Sequence, residues 1–114
     1  MTKVRLKRAY EPAGSGDGQR VLVDRLWPRG VSKDEAKIDA WLKDVAPSTA
    51  LRKWFGHKPA RWSEFRRRYG EELKANPAMD SLRQIIAKGP TTLIYGAKDT
   101  QHNQAVVLAE HLQP

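Results

Sequence analysis

The sequence predicts a small α/β domain in which about five helices pack on a mainly parallel, three-stranded sheet. Three short segments have the composition of strands, and four amphipathic stretches separate the second segment from the third. A strand, a run of helices and another strand in this order imply a crossover connection, which makes the two strands parallel. The chain has 114 residues, which is enough for one domain, and we assign a single domain to residues 1–114.

The three strand segments carry different patterns. Residues 3–9 alternate apolar and basic side chains, which is typical of a half-buried strand. Residues 20–25 contain the run Val-Leu-Val, which indicates burial on both faces and a central position in the sheet. Residues 91–95 form the third strand. Residues 11–19 are rich in Gly and predict a loop, so the relative direction of the first two strands stays open.

Five segments have apolar side chains at helical spacing. The first begins at a capping box, in which Ser32 caps the helix and Glu35 follows three residues later. The apolar positions of the first four helices are Ile38, Trp41, Leu42 and Val45; Leu51, Trp54 and Phe55; Trp62, Phe65, Tyr69 and Leu73; and Met79, Leu82, Ile85 and Ile86. The last helix follows a cap at Asp99 or Thr100 and has Ala105, Leu108, Ala109 and Leu112 on its inner face.

The charge, the cysteine content and the apolar runs of the chain limit the partners and the kinds of site that we expect. The chain has 21 Lys and Arg residues against 13 Asp and Glu, a formal net charge of +8, which favours an anionic small molecule or nucleic acid. It has no cysteine, which excludes disulfides, thiolate catalysis and Cys-based zinc sites. The first residues lack a signal-peptide core, and no apolar run approaches the ~20 residues of a membrane span. We therefore expect a cytoplasmic protein that does not bind membranes.

Ligands of open parallel sheets bind beyond the carboxyl ends of the strands. Three loops leave that edge, and they carry the candidate ligand-binding residues Arg8; Arg25, Trp27 and Arg29; and Tyr95, Lys98, Asp99 and Asn103. Asp24 and His102 are candidates for acid/base catalysis, because the unperturbed pKa of histidine lies near neutrality and a neighbouring cation can tune the pKa of the Asp24 carboxyl. Trp54 and His57 are candidates for lining the pocket.

Each of these residues also has a structural alternative. Asp24 could form an ion pair that orients an arginine, and His102 could hydrogen-bond to a neighbour. Around Gly96 and Lys98 the strand–loop–helix pattern predicts an anion site, whereas the alternative is a solvated turn in which Asp99 caps the helix. The phosphate-loop and dinucleotide glycine spacings are absent, and the His and Asp residues lack metal-ligand spacing, so we expect no cofactor and no metal.

The basic run Arg66–Arg68 supports a second class of function. Such a run on a helix is typical of a solvated face, and it can also contact the phosphates of nucleic acid. The sequence thus leaves three functions open: a cationic pocket that binds or acts on a phosphorylated or other anionic small molecule, a nucleic-acid-binding module, and a protein–protein adaptor. Whether the protein is an enzyme is also open.

Four segments resemble the YeaO-like branch of the bacterial proteins called domain of unknown function 488. They are VLVDRLWPRG (21–30), WLKDVAPS (41–48), LRKWFGH (51–57) and KDTQHNQA (98–105). The similarity covers nearly the whole chain, and it implies a compact α/β fold, a cytoplasmic bacterial protein and no established activity. The larger relatives carry a Cys-His-Arg signature near the start of the last helix, where this chain has His102-Asn103-Gln104. A thiol mechanism in those relatives therefore does not carry over.

Overall fold

The computed structural model describes residues 4–112. These residues form four strands, β1 (Val4–Arg8), β2 (Gln19–Leu22), β3 (Ala40–Trp41) and β4 (Thr91–Tyr95). They also form five α-helices, α1 (Lys33–Ala36), α2 (Thr49–Phe55), α3 (Trp62–Lys74), α4 (Ala78–Ala87) and α5 (Gln104–Leu112). The predicted α/β class is confirmed. Lys3, where the predicted first strand begins, lies outside the described residues.

The sheet has the strand order β1-β4-β2-β3, and every neighbouring pair is parallel. β1 and β2 both pair with β4, with Leu6 and Val21 on opposite sides of Leu93. Their relative direction, which the sequence left open, is therefore parallel. This order brings the carboxyl ends of β1, β4 and β2 to one edge of the sheet.

The predicted first helix is wrong beyond its first turn. Ser32 caps α1 as expected, because its hydroxyl oxygen accepts a hydrogen bond from the Glu35 backbone N–H at 3.1 Å. Lys37 then adopts a left-handed conformation with φ of 48°, and its N–H bonds back to the Lys33 carbonyl. A left-handed residue of this kind ends a helix, so α1 stops at Ala36.

The chain after α1 forms a fourth strand, so the predicted three-stranded sheet is wrong by one strand. The Asp39 carboxylate accepts the Arg20 backbone N–H at 2.8 Å, and the Asp39 N–H donates to the Arg20 carbonyl at 2.8 Å. The Leu42 N–H donates to the Leu22 carbonyl at 3.0 Å. These bonds hold β3 on the open edge of β2, and Trp41 lies in a strand rather than on a helical face.

The sheet is buried on both faces. Val21 and Val23 point toward the helices α2–α5, whereas Leu22 points to the opposite face, where Trp27 and Trp41 cover it. The three residues of this Val-Leu-Val run have no solvent exposure, which confirms the central strand expected from the sequence. Within residues 4–112, no helix has the length and apolar character that a bilayer crossing requires.

A buried ion cluster fixes the connection between β1 and β2. The Asp17 carboxylate accepts hydrogen bonds from Arg20 Nη1 at 2.5 Å, from Lys7 Nζ at 3.2 Å and from the Gly14 N–H at 2.9 Å. The Gly14 N–H and the two cations lower the pKa of this carboxyl. The Asp17 carbonyl also accepts the Thr92 hydroxyl at 2.7 Å, so the loop is held against the centre of the sheet.

Candidate functional site

A cavity of about 290 Å³ opens at the carboxyl ends of β2 and β4. The segment after β2, the loop before α2, the helices α2 and α3, and the segment that leads into α5 all contribute to its wall. Six of the residues selected from the sequence line it, namely Asp24, Arg25, Trp27, His57, His102 and Asn103. The cavity thus lies at the sheet edge where ligands of parallel sheets bind.

Asp24 connects three parts of the cavity wall. Its Oδ2 accepts a hydrogen bond from the Gly96 N–H at 2.8 Å, and its Oδ1 accepts one from the Gln104 side-chain amide. Its backbone carbonyl accepts the Trp41 indole N–H at 2.7 Å. Burial raises the pKa of the Asp24 carboxyl, and the Gly96 and Gln104 donors oppose that rise without cancelling it. Asp24 therefore joins the end of β2 to β3, β4 and α5.

Gly96 is required by the close approach of this carboxylate. A Cβ atom at position 96 would lie 2.9 Å from Asp24 Oδ2 and 3.6 Å from the Pro28 Cβ. The sequence predicted that Gly96 would let the backbone approach a bound anion. In the structure, the backbone N–H of Gly96 already binds the protein's own carboxylate.

Two arginines supply the permanent positive charge of the cavity. Arg25 is half-buried, and its Nη2 lies 3.5 Å from the Pro47 carbonyl. Its Nε is buried and has no hydrogen-bond partner among the described residues. Arg52 extends from α2 and is exposed at the cavity, where it forms no ion pair with any residue of the described range. The charge of Arg52 acts on Asp24 to lower the pKa of that carboxyl, against the larger effect of burial.

His102 is oriented by Asp99. The His102 Nδ1 lies 2.8 Å from Asp99 Oδ2, and the imidazole packs edge-on against Trp62 with the ring centres 5.2 Å apart. The hydrogen bonds of Asp99 to the Gln101 N–H and to His102 lower the pKa of this carboxyl. An ionised carboxylate only accepts hydrogen bonds. Nδ1 of His102 is therefore the donor, and Nε2 is the ring nitrogen left for a ligand.

Side chains of the protein already bind several N–H groups around the start of α5, where the sequence predicted an anion site. Asp99 Oδ1 accepts the N–H groups of Gln101 and His102 at 2.9 and 3.0 Å. Asn103, rather than Asp99 or Thr100, caps α5, because its side-chain oxygen accepts the Val106 N–H at 3.2 Å. Protein side chains thus occupy the N–H groups of Gln101, His102 and Val106.

Lys98 and Arg29 do not reach the cavity. Both side chains are exposed, and neither residue lines it. The backbone carbonyl of Arg29, rather than its side chain, forms a hydrogen bond nearby: it accepts the Tyr10 hydroxyl at 2.9 Å. Arg8 lies nearby, where its Nε donates to the Ala97 carbonyl at 2.8 Å and its guanidinium lies 4.9 Å from the centre of the Tyr10 ring. Arg8 thus ties the β1 and β4 loops together.

Tyr95 and Trp54 also lie outside the cavity lining. Tyr95 is buried in β4, and burial raises the pKa of its hydroxyl. Trp54 packs under two guanidinium groups, those of Arg68 at 4.3 Å and Arg61 at 5.2 Å from its ring centre. Its carbonyl also accepts a hydrogen bond from Arg61. Trp54 therefore anchors Arg68 of α3 and Arg61, which precedes that helix, instead of lining the pocket.

The sequence interpretation missed the base of the cavity and one of its cations. Phe55 and Phe65 stack with ring centres 4.3 Å apart and line the cavity with Arg52. Arg52 precedes Phe55 by three positions on α2, a spacing that places two side chains on the same side of a helix. A search for cations beside each apolar helical stripe would have found it.

The guanidinium groups of the run Arg66–Arg68 are paired with carboxylates. Arg66 binds Glu110 on α5, while Arg67 and Arg68 both bind Glu64 at 2.8 Å. Their hydrogen bonds lower the pKa of Glu64 to about 2. Among the described residues, no group of three His, Cys, Asp or Glu side chains is placed to hold a metal ion.

Curated relatives of the chain are uncharacterised bacterial proteins. The chain is 44% identical over 111 residues to the uncharacterised protein YeaO of Escherichia coli (strain K12). The aligned region covers 96% of this chain and 96% of the relative. The chain is also 44% identical over 111 residues to the uncharacterised protein Rv3073c of Mycobacterium tuberculosis (strain ATCC 25618 / H37Rv), covering 97% of this chain and 94% of the relative. No solved structure matches the chain.

A family model gives the broader relationship. The model described as "Inactive DUF488-N3 subclade" matches residues 3–114, nearly the whole chain. This match confirms the resemblance found in the four sequence motifs. The chain belongs to the inactive DUF488-N3 subclade.

Proposed function

We propose that this protein binds an anionic small molecule in the cavity at the carboxyl edge of its sheet. The observation that carries the proposal is Arg25, whose Nε is buried without a hydrogen-bond partner among residues 4–112. A buried donor left without an acceptor costs about 1–3 kcal/mol. Arg25 lines the cavity, so a small shift of its side chain would let its guanidinium bind the oxygens of a phosphate or carboxylate, which guanidinium groups bind strongly.

The rest of the cavity supports a ligand with an anionic end and an apolar body. Arg52 brings a second guanidinium to the same cavity, so the anion would lie between two cations. The stacked rings of Phe55 and Phe65 and the indole of Trp27 supply apolar surface beside these charges. Cavities that combine apolar walls with a few placed polar groups are typical small-molecule sites.

Binding without turnover fits the site better than catalysis. Asp24 was selected as a general base, but each of its two carboxylate oxygens already accepts a hydrogen bond from the protein. Its joining of β2, β4 and α5 supports a role in positioning these elements. The description of the family as inactive agrees with this proposal.

The small-molecule proposal is favoured over nucleic-acid binding by the pairing of the basic run. The three arginines Arg66–Arg68 pair with two carboxylates, those of Glu110 and Glu64, so one positive charge of the run is left over. Opposite charges placed this close offset the positive potential that phosphate recognition needs. Arg25 and Arg52, by contrast, form no ion pair with the residues that the structure describes.

The test uses two arginine variants with the same change of net charge. Phenyl phosphate, an anion with an aromatic body, is titrated by calorimetry at about 50 mM salt, where charge interactions are weakly screened. Wild type should bind it, Arg25→Gln should weaken binding at least tenfold, and Arg29→Gln should leave it unchanged because Arg29 lies outside the cavity. Equal affinities of the two variants, or no binding by wild type, would contradict the proposal. Unfolding midpoints of both variants serve as the folding control.

A further inference from the structure

His57 has a conformation that its own contacts do not explain. It follows Gly56, which ends α2 with a φ of 53°, and has a φ of 57° itself. The left-handed region is uncommon for residues other than glycine and raises the energy of the backbone. The imidazole is exposed at the cavity, forms no hydrogen bond with the described residues, and lies 6.2 Å from the Phe55 ring. Glycine would suit this backbone better, so the histidine calls for a functional reason.

The charges around His57 give that reason. Asp24 and Arg25 extend from the end of β2, and Arg52 extends from α2. With His57 neutral, these three groups sum to one positive charge, which a singly charged ligand would balance. The remaining titratable groups of the lining are Tyr10, whose hydroxyl donates to the Arg29 carbonyl, and His102, which is hydrogen-bonded to Asp99.

A doubly charged ligand would leave one negative charge unbalanced in this cavity. Such a charge is costly where water is partly excluded, because the effective dielectric constant is lower there than in bulk water. A proton bound to His57 would balance it. Lys58 follows in the chain and is exposed, but it does not line the cavity, so it is poorly placed to do the same.

We propose that His57 makes the cavity select a doubly charged phosphate monoester over a singly charged anion of the same shape, by taking up a proton when the ester binds. This inference rests on the proposed function of the same cavity. It names the class of ligand, a phosphate monoester with an apolar body, and the residue that distinguishes it from a sulfate ester.

Phenyl phosphate and phenyl sulfate are the matched probes, because both are tetrahedral esters of the same ring. At pH 7.5 the first is mainly doubly charged, since the second pKa of a phosphate monoester is about 6, and the second carries one charge. Each is titrated by calorimetry into wild type, His57→Gln and His57→Gly. Two buffers with different ionisation enthalpies report the protons taken up. His111→Gln is the control, because His111 lies on α5 away from the cavity.

Wild type and His111→Gln should bind phenyl phosphate about tenfold more tightly than phenyl sulfate, with proton uptake for the phosphate alone. Both His57 variants should bind phenyl sulfate as wild type does and should lose the preference and the proton uptake. His57→Gly should also unfold at a higher temperature than wild type, since it relieves the left-handed backbone.

The outcomes separate the two proposals. Binding of both esters by wild type, with a preference that survives in the His57 variants or with no preference at all, would overturn the role of His57 and leave the anion site intact. Failure of wild type to bind either ester would overturn both. A phosphate preference in wild type without proton uptake would also overturn the inference.

Discussion

The Gly96 N–H and the Asp24 carboxylate lie so close that position 96 has no room for a side chain. The hydrogen bond between them measures 2.8 Å, and a Cβ atom at position 96 would come within 2.9 Å of the same oxygen. This contact joins the ends of the two central strands, β2 and β4. It also holds the Asp24 carboxylate at the cavity, where a backbone N–H of the protein donates to it.

Gly96→Ala should therefore destabilise the protein by about 1–3 kcal/mol, the usual cost of forcing an extra carbon into a packed site. The new methyl group must displace the carboxylate, which in turn loses its bond to the backbone. Urea denaturation of wild type and variant measures the change. Gly16→Ala is the matched control, because a Cβ atom there would have its nearest neighbour, Arg5 Nη1, at 3.7 Å. Equal losses in the two variants would contradict the steric explanation.

Asp24 should make the stability of the protein depend on pH in a defined direction. Burial raises the pKa of its carboxyl above the ordinary value of 3.8, so the folded protein holds this proton more tightly than the unfolded chain does. The resulting stability is complete below the unfolded pKa and is lost as the pH rises through the folded pKa.

Asp24→Asn removes this titration. The unfolding free energy of wild type minus that of the variant should fall as the pH rises above 3.8, and it should level off once the folded carboxyl is ionised. Urea denaturation at a series of pH values measures the difference, and groups common to both proteins cancel. A difference that stays constant from pH 3 to 7, or that rises, would contradict the raised pKa of Asp24.

Asp99 should decide which ring nitrogen of neutral His102 carries the hydrogen. In wild type the Asp99 carboxylate accepts from Nδ1, so the Nδ1–H form should dominate. Asp99→Ala should give a mixture of the two forms, and it should also lower the stability of the protein because two backbone N–H groups lose their acceptor. Nitrogen-15 NMR of the imidazole distinguishes the forms. Thr100→Ala, next in the chain, should retain the wild-type form; a wild type dominated by Nε2–H would contradict the prediction.

Local patterns were sufficient for the elements whose ends carry their own signals. β4 spans the predicted residues 91–95. α2 is capped by Ser48 and followed by left-handed Gly56, as its sequence indicates. β3 could not be predicted in this way, because two residues are too few for a periodic pattern. Its position depends on Asp39 meeting Arg20, a contact between distant parts of the chain.

The same distinction applies to the cavity. Asp24 and His102 follow from the rule that ligands meet the carboxyl ends of parallel strands. The same rule does not show which cations reach the cavity, because the direction of a loop side chain depends on what its neighbours already bind. Arg25 and Arg52 reach the cavity, whereas Arg29 and Lys98 extend into solvent. Nothing in the local sequence of these four residues separates the two pairs.

The place of β4 in the sheet has a consequence for synthesis. β1 and β2 leave the ribosome first, but they do not pair with each other: β1 pairs with β4, and β2 pairs with β4 and with the short strand β3. A nascent chain that stops before β4 has no partner for β1, and β2 has only the two-residue strand β3 beside it. The sheet can therefore be completed only after residues 91–95 have been synthesised. Strand pairings between residues this distant in sequence make folding slow relative to helical proteins of similar size.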